Sequence, residues 1–199
     1  MVMRFLNFLV QHASRVFEEI LPFISLLTNM RTVRKKPTPE TLIKRYSTLS
    51  EQTLLDRIKE EQNRGTNIED KTFKFHGSLA IGLTLINSTL FLLAGKITCP
   101  RIQFFVNVLI SCSVLYLFIG AFIALYGIKT HQVYGYGTEF LVQLKDGNSV
   151  EICATALANQ EKENCIRHLL NEASFQSVRN GLICFFLAIL AFILFLLTN

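Results

Sequence analysis

Charge, proline and paired cysteine are all scarce in this sequence. Only 18% of its 199 residues are charged, whereas soluble proteins average about 25%, and so low a charge excludes an intrinsically disordered chain. Four prolines exclude a proline-rich or collagen-like chain. Five cysteines, an odd number without a Cys-x-x-Cys pair, indicate neither a disulfide framework nor a zinc ribbon. The net charge of +5 fits an anionic partner, either nucleic acid or a membrane surface.

Apolar residues, by contrast, are concentrated in three windows that contain no charged residue. The windows are residues 75–95, 102–128 and 180–198, and the first two are separated by a turn at 96–101. A helix needs about 20 mostly apolar residues to cross the hydrocarbon core, where only a helix can satisfy its own backbone. The sequence therefore predicts an all-α membrane protein with three transmembrane helices and cytoplasmic helical extensions.

Lysine and arginine are distributed unevenly around these windows. Thirteen of them precede residue 75, two lie in the turn 96–101 and five lie in residues 129–179. The positive-inside rule then predicts that the N-terminus and residues 129–179 are cytoplasmic, and that the turn and the C-terminus are outside. This is the topology of a multi-pass protein in a bacterial inner membrane. It also explains the positive charge without nucleic acid as a partner.

Residues 1–30 have the pattern of an amphipathic helix, because polar residues recur at helical spacing from Arg4 to Asn29. We predict that this helix lies in the plane of the membrane interface. Packing on the cytoplasmic region and an additional span are the alternatives, and Pro22 should kink or divide the helix. A basic cluster that follows it fits contact with anionic head groups and consists of Arg31, Arg34, Lys35 and Lys36.

The cytoplasmic region 31–74 is predicted to be helical. Helix starts are expected at Thr38-Pro39-Glu40 and Ser50-Glu51-Gln52, and a break is expected around Gly65. Asp70 and Lys74 are four residues apart and should form an ion pair on one helix face.

The second cytoplasmic segment, residues 129–179, is predicted to combine a hairpin with a helix. Phe140–Leu144 and Val150–Cys153 flank an Asp-Gly turn, which is the pattern of a small β-hairpin. Helical periodicity then begins near Asn159 and continues without a break into the third window, to near Leu197.

Residues that carry chemistry are few. The three windows contain no Asp, Glu, Lys, Arg or Pro, which disfavours proton relays and the broken-helix sites of transporters. No nucleophile elbow, phosphate-binding loop or metal-ligand spacing occurs, so we predict a protein that is not an enzyme and has no cofactor or metal. Residues 133–137, Val-Tyr-Gly-Tyr-Gly, resemble a potassium-channel filter, but they follow the second window directly. A turn with interfacial tyrosines is the better interpretation.

The predicted site residues are therefore helix-packing residues within the windows. Asn87 and Asn107 lie at comparable depth on either side of the turn and can bond to each other or between copies of the chain. Small residues that permit close helix approach occur in two pairs, Ser78 with Gly82 and Gly120 with Ala124. Both features predict a homo-oligomer.

The layout from Leu42 to Leu197 resembles that of small bacterial membrane effectors of antiviral conflict systems. In these proteins a cytoplasmic helix with a charged stretch runs into a two-helix hairpin, and a final helix with an Asn-rich approach follows. The stretches that correspond here are residues 60–64 and 68–71 before the hairpin, and residues 170–172 and 177–180 before the final helix. The resemblance implies self-assembly in the membrane and loss of membrane integrity on activation.

Three functions follow as hypotheses. The first is a non-enzymatic membrane effector or scaffold that acts by self-assembly in the bilayer. The alternative is a membrane-anchored interaction protein that recruits a cytoplasmic protein partner, because the closely spaced first hairpin also resembles inclusion-membrane proteins secreted by intracellular bacteria. A small channel or transporter is the third.

Overall fold

A computed structural model describes residues 19–128 and 133–198, and every regular element in those ranges is a helix. The helices in chain order are α1 (Pro22–Lys35), α2 (Glu40–Tyr46), α3 (Glu51–Lys71), a π-helical turn (Thr72–Gly77), α4 (Ser78–Ala94), α5 (Pro100–Ile128), α6 (Thr138–Asp146) and α7 (Ser149–Thr198).

Two long helical rods run through the molecule. In the first, α3, the π-helical turn and α4 follow one another without interruption, and Ser50 begins the rod by accepting a hydrogen bond from the Thr53 amide at 3.3 Å. The break predicted around Gly65 is therefore wrong, because α3 continues to Lys71. The second rod is α7, whose 50 residues correspond to about 75 Å at 1.5 Å per residue. It begins ten residues before the predicted start at Asn159.

At one end, α4, α5 and the part of α7 from Ser174 onward form a three-helix bundle, here called the bundle. The turn between α4 and α5 spans only residues 95–99, so the two helices are antiparallel neighbours. Apolar side chains from all three helices fill its core. The buried ones are Ala80, Leu90, Ala94, Val106, Ile110, Leu117, Val178, Phe185, Ala188 and Phe195.

At the other end, α2, α3, α6 and the part of α7 up to Ala173 form what we call the head. Its core lies between α3 and α7 and is covered by α2 and α6. The buried side chains are Leu54, Ile58, Cys153, Ala154, Ala156 and Leu157.

The β-hairpin predicted across residues 140–153 is wrong. Residues 138–146 form α6, and Val150–Cys153 belong to the first turns of α7. Phe140 and Leu144 are four residues apart, which puts both on one face of a helix, and both pack against the head core. Burial of this face outweighs the turn preference of Asp146-Gly147, and that dipeptide instead connects two helices.

Helix α1 lies along α7 and runs antiparallel to it. The Asn180 side chain donates to Glu19 O at 2.6 Å at one end, and Lys162 donates to Lys36 O at 2.8 Å at the other. Pro22 stands at the first turn of α1 after a non-helical Leu21, so the prediction that it divides the helix is confirmed. Leu26 and Met30 pack against α5 and α7, whereas residues 1–18 of the predicted interfacial helix lie outside the described residues.

Two of the described helices are long and apolar enough to cross a membrane. They are Pro100–Gly127 and Ser149–Leu197, whose most apolar 18-residue windows have mean hydropathies of 2.5 and 2.8, respectively. Only 28% and 22% of the residues in these windows are buried, so most of them are at least partly exposed. The third predicted span corresponds to α4, which is shorter at 17 residues.

Candidate functional site

The most polar interior of the molecule lies where α3 meets α7 in the head. Gln160, Asn164 and Arg167 are 0%, 3% and 5% exposed, and their spacing of four and three residues places them on one face of α7. Buried polar side chains are costly unless they are hydrogen-bonded, so their partners determine how this junction is held.

Arg167 is bonded by groups from both helices. Its Nη1 donates to Asn164 Oδ1 at 2.6 Å, and its Nε lies 2.8 Å from Glu69 Oε1 on α3 in an ion pair whose angle is poor for a hydrogen bond. Gly65 makes room for it, since a Cβ at that position would lie 2.1 Å from Arg167 Nη1. The glycine that suggests a break in the sequence instead permits a close approach between two helices.

Glu61 is the second charged group of this junction and is 6% exposed. Asn164 Nδ2 donates to its side chain at 2.8 Å and to its backbone carbonyl at 2.7 Å. Arg64 lies 3.3 Å from the same carboxylate. The junction thus contains two carboxylates and two guanidinium groups, so its formal charges balance.

The same network holds the segment that leads from α5 to α6. Tyr134 N donates to Gln160 Oε1 at 3.0 Å, and Gln62 Nε2 donates to Tyr134 O at 2.8 Å. Gly135 has a φ of +72°, and a Cβ there would meet Ile58 Cγ2 at 2.7 Å, so glycine is needed for both reasons. The described residues 133–137 therefore dock against α3 and α7, which is consistent with a turn.

In the bundle, one chain of hydrogen bonds joins all three helices at one level. Asn87 Nδ2 on α4 donates to Ser113 Oγ on α5 at 3.0 Å, and Ser113 Oγ donates to Gly181 O on α7 at 2.8 Å. Asn87 and Ser113 are both 0% exposed. Asn107 is not part of this chain, and its buried Oδ1 finds no hydrogen-bond partner among the described residues.

The two predicted small-residue pairs have different surroundings. Gly120 faces α7, where a Cβ would meet Val178 at 3.1 Å and where Ser174 Oγ donates to Gly120 O at 3.0 Å; Ala124 is also buried. Ser78 and Gly82 are exposed on α4, and a Cβ on Gly82 would meet nothing within 4 Å. The first pair is therefore used within the chain, whereas the second remains open.

The predicted basic cluster extends over the end of α1 and the residue after it. The side chains of Arg31, Arg34, Lys35 and Lys36 are exposed. The backbone carbonyls of Arg34 and Lys36 accept hydrogen bonds from Lys162, which fixes this end of α1 against α7.

Among the described residues, no group of three or more His, Cys, Asp and Glu side chains is placed to bind a metal ion. Burial raises the pKa of the Cys153 thiol, which keeps it protonated and unreactive. Asp70 and Lys74 form the predicted ion pair at 2.7 Å.

The junction residues Glu61, Asn164 and Arg167 are missing from the site predicted by sequence. A signal exists, because Gln160, Asn164, Arg167 and Asn171 recur at helical spacing in a stretch whose other faces are partly apolar. A stripe of this kind usually faces solvent, and its burial depends on the position of α3.

No known protein family matches the chain, and comparisons with curated proteins and with solved structures give no match either.

Proposed function

We propose that this chain is a three-span integral membrane protein and a non-enzymatic effector or scaffold that assembles in the bilayer. The observation that carries the proposal is the hydrogen-bond chain from Asn87 through Ser113 to Gly181. It joins α4, α5 and α7 at one level, so a bilayer that contains the two longer helices also contains α4. Exposed apolar side chains on all three helices support the same interpretation, among them Leu85, Phe104 and Phe186.

Self-assembly is supported by the open face of α4. Ser78 and Gly82 are exposed there and lie one turn apart, so a second helix can approach the backbone closely. Gly120 packs against α7 and Ala124 is buried, which leaves the α4 pair as the small-residue face that another copy would use.

Topology is tested with the chain's own cysteines. Cys99 lies in the turn between α4 and α5, and Cys165 is exposed on the head. In single-cysteine variants expressed in bacteria, we expect a membrane-impermeant maleimide to label Cys99 in intact spheroplasts and Cys165 only after permeabilisation. Labelling of both residues on the same side, or loss of the protein on alkaline extraction, would contradict the three-span proposal.

The effector function is tested by membrane potential. We expect induced expression in bacteria to depolarise cells, as measured with a potential-sensitive dye, and Gly82→Leu to reduce that effect by closing the α4 face. Gly95→Leu, at the turn, is the matched control that leaves this face unchanged. If neither the wild type nor an artificially dimerised form depolarises cells, the effector function is wrong and the scaffold function remains. Selective ion flux through the reconstituted monomer would instead indicate a channel or transporter.

Recruitment of a cytoplasmic protein is the second candidate, and exposed apolar residues on the head favour it. Tyr136, Leu141 and Val142 are 77%, 64% and 52% exposed outside the three windows. A photo-crosslinker at position 141 of the full chain should then give one discrete adduct that Val142→Glu abolishes. A smear of adducts, or none, would contradict recruitment through α6.

A further inference from the structure

The two sides of α1 differ sharply in chemistry. On one side, a groove of about 300 Å³ against α7 is lined by Glu19, Glu172 and several polar residues, with no basic side chain. On the other side, a groove of about 450 Å³ between α1 and α5 is lined by apolar residues together with Arg31 and Arg34, with no acidic side chain. We call the second one the α1–α5 groove.

The apolar part of the α1–α5 groove is large and accessible. Phe23 and Leu27 line it from α1, and Phe122 and Tyr126 line it from α5. Leu27, Phe122 and Tyr126 are 54%, 57% and 42% exposed. The volume is within the range of about 300–1,000 Å³ in which proteins hold small apolar ligands.

The charged part lies at the head end of the same groove. Arg31 and Arg34 are three residues apart and therefore share a face of α1. Neither forms an ion pair with an acidic side chain in the part of the chain that the structure describes. Two unneutralised guanidinium groups above an apolar groove are complementary to a molecule with an anionic head and an apolar tail.

The position of the groove identifies the source of that molecule. This step depends on the proposed three-span topology. Helix α5 carries no charged residue from Ile102 to Ile128, and Tyr126 near its cytoplasmic end is a residue type enriched at the membrane interface. Arg31 and Arg34 lie at the same end of the groove, on the side of the membrane where anionic lipid phosphates are found.

We propose that the α1–α5 groove binds one anionic phospholipid of the cytoplasmic leaflet. An acyl chain lies against Phe23, Leu27 and Phe122, and the phosphate is bound by Arg31 and Arg34. This is a specific lipid site, in contrast to general attraction of the basic cluster to a charged surface. It would also hold α1 upright beside the bundle, because the lipid contacts both α1 and α5.

The test uses the purified full-length protein in nanodiscs of phosphatidylglycerol and phosphatidylcholine in equal amounts with identical chains. Native mass spectrometry after detergent extraction measures which lipids remain bound. We expect one retained phosphatidylglycerol per chain in the wild type. The double variant Arg31→Gln/Arg34→Gln should lose that preference by about 5- to 25-fold, since it removes the charge-assisted hydrogen bonds from both guanidinium groups to the phosphate.

Lys35→Gln/Lys36→Gln is the matched control, because it removes the same charge from the same segment without touching the groove. We expect less than a threefold change. Leu27→Trp should displace the retained lipid while leaving both arginines in place. Equal losses in the two double variants would overturn the proposal in favour of diffuse surface attraction, and retention in Arg31→Gln/Arg34→Gln would overturn it outright. Retention of a short-chain head-group analogue in Leu27→Trp would indicate an anion site without a chain.

The failure of this site is distinguishable from failure of the proposed topology. Alkaline extraction of the same variants reports whether the protein is integral to the membrane. A protein that stays in the membrane but shows no lipid preference contradicts only the lipid site. A protein released by extraction contradicts the three-span topology itself.

Discussion

Helix α7 belongs to both the head and the bundle, and the residues on one of its faces differ between the two regions. In the head that face carries Gln160, Asn164 and Arg167, and the last two of these bond across to α3. In the bundle it carries Ser174 and Gly181, which let α5 approach the backbone. In the proposed topology, water surrounds the head and makes apolar burial favourable there, whereas lipid around the bundle would provide no such drive and would leave close contact and hydrogen bonds to join the helices.

The contact face of α7 changes from long polar side chains to small residues at the level of the π-helical turn. Thr72 Oγ1 donates to Asn171 Oδ1 at 2.8 Å, and the His76 and Phe175 rings lie 5.6 Å apart. Gly120 meets Ser174 just beyond it. The π-helical turn, a rare conformation, thus lies at the boundary between the head and the bundle.

The largest expected effect is on the ion pair inside the head. Arg167→Ala should lower the free energy of unfolding by about 3–5 kcal/mol, because it leaves Glu69 and Asn164 without their buried partner. Arg57→Ala is the control: Arg57 pairs with Glu60 at 2.6 Å but is 52% exposed, so its loss should cost about 0–1 kcal/mol. Thermal unfolding in detergent, followed by circular dichroism, measures both. Equal losses in the two variants would show that the junction does not stabilise the head.

A second prediction compares two glycines on the same helical rod. Gly65→Ala should lower the free energy of unfolding by about 2 kcal/mol, because the new Cβ displaces Arg167 from its buried partners. This loss is larger than the gain of about 1 kcal/mol that alanine brings in helix propensity. Gly82→Ala should be neutral or stabilising, since its Cβ meets nothing within 4 Å. The same unfolding assay applies. A stable Gly65→Ala protein would mean that α3 and α7 are further apart than the structure has them.

The sequence predicts the helices better than it predicts their partners. Charge-free windows and helical spacing identify α4, α5 and the part of α7 from Asn159 onward, because these depend on residues close together in the chain. The junction depends on α3 and α7, whose partners Glu61 and Asn164 are 103 residues apart. Gly65 is the clearest example. The sequence predicts a helix break there, whereas in the structure this glycine permits close contact between α3 and α7. The wrong hairpin has the same cause, because only the head core reveals which face of residues 140–144 is buried.

The third prediction concerns the bundle and should be smaller. Ser113→Ala removes both bonds that join α4 to α7 through α5, and polar bonds of this kind contribute about 0.6–1.7 kcal/mol in membranes. Ser88→Ala is the matched control, because Ser88 is exposed and bonds only within α4, to Thr84 O at 3.0 Å. Steric trapping or urea unfolding in micelles measures the difference. If Ser113→Ala lowers the free energy of unfolding by more than about 3 kcal/mol, polar bonds stabilise the bundle as strongly as the charged bonds stabilise the head. The proposed difference between the two regions would then be wrong.

The smallest effect is expected at the outer side of the head and depends on pH. Burial and the hydrogen bond from Tyr46 Oη to Glu161 Oε2, 2.6 Å long, raise the pKa of Tyr46 from 10.0 to about 12. A raised pKa in the folded state means that the neutral phenol stabilises the fold below pH 10, and that this contribution is lost as the pH rises towards 12. Tyr46→Phe should therefore cost about 0.5–1 kcal/mol at neutral pH and should lack the alkaline loss seen in the wild type. Tyr136→Phe, at a residue that is 77% exposed, is the control and should keep the wild-type profile. If Tyr46→Phe loses stability over the same alkaline range as the wild type, the bond to Glu161 does not couple α2 to α7, and the head is held by its buried junction alone.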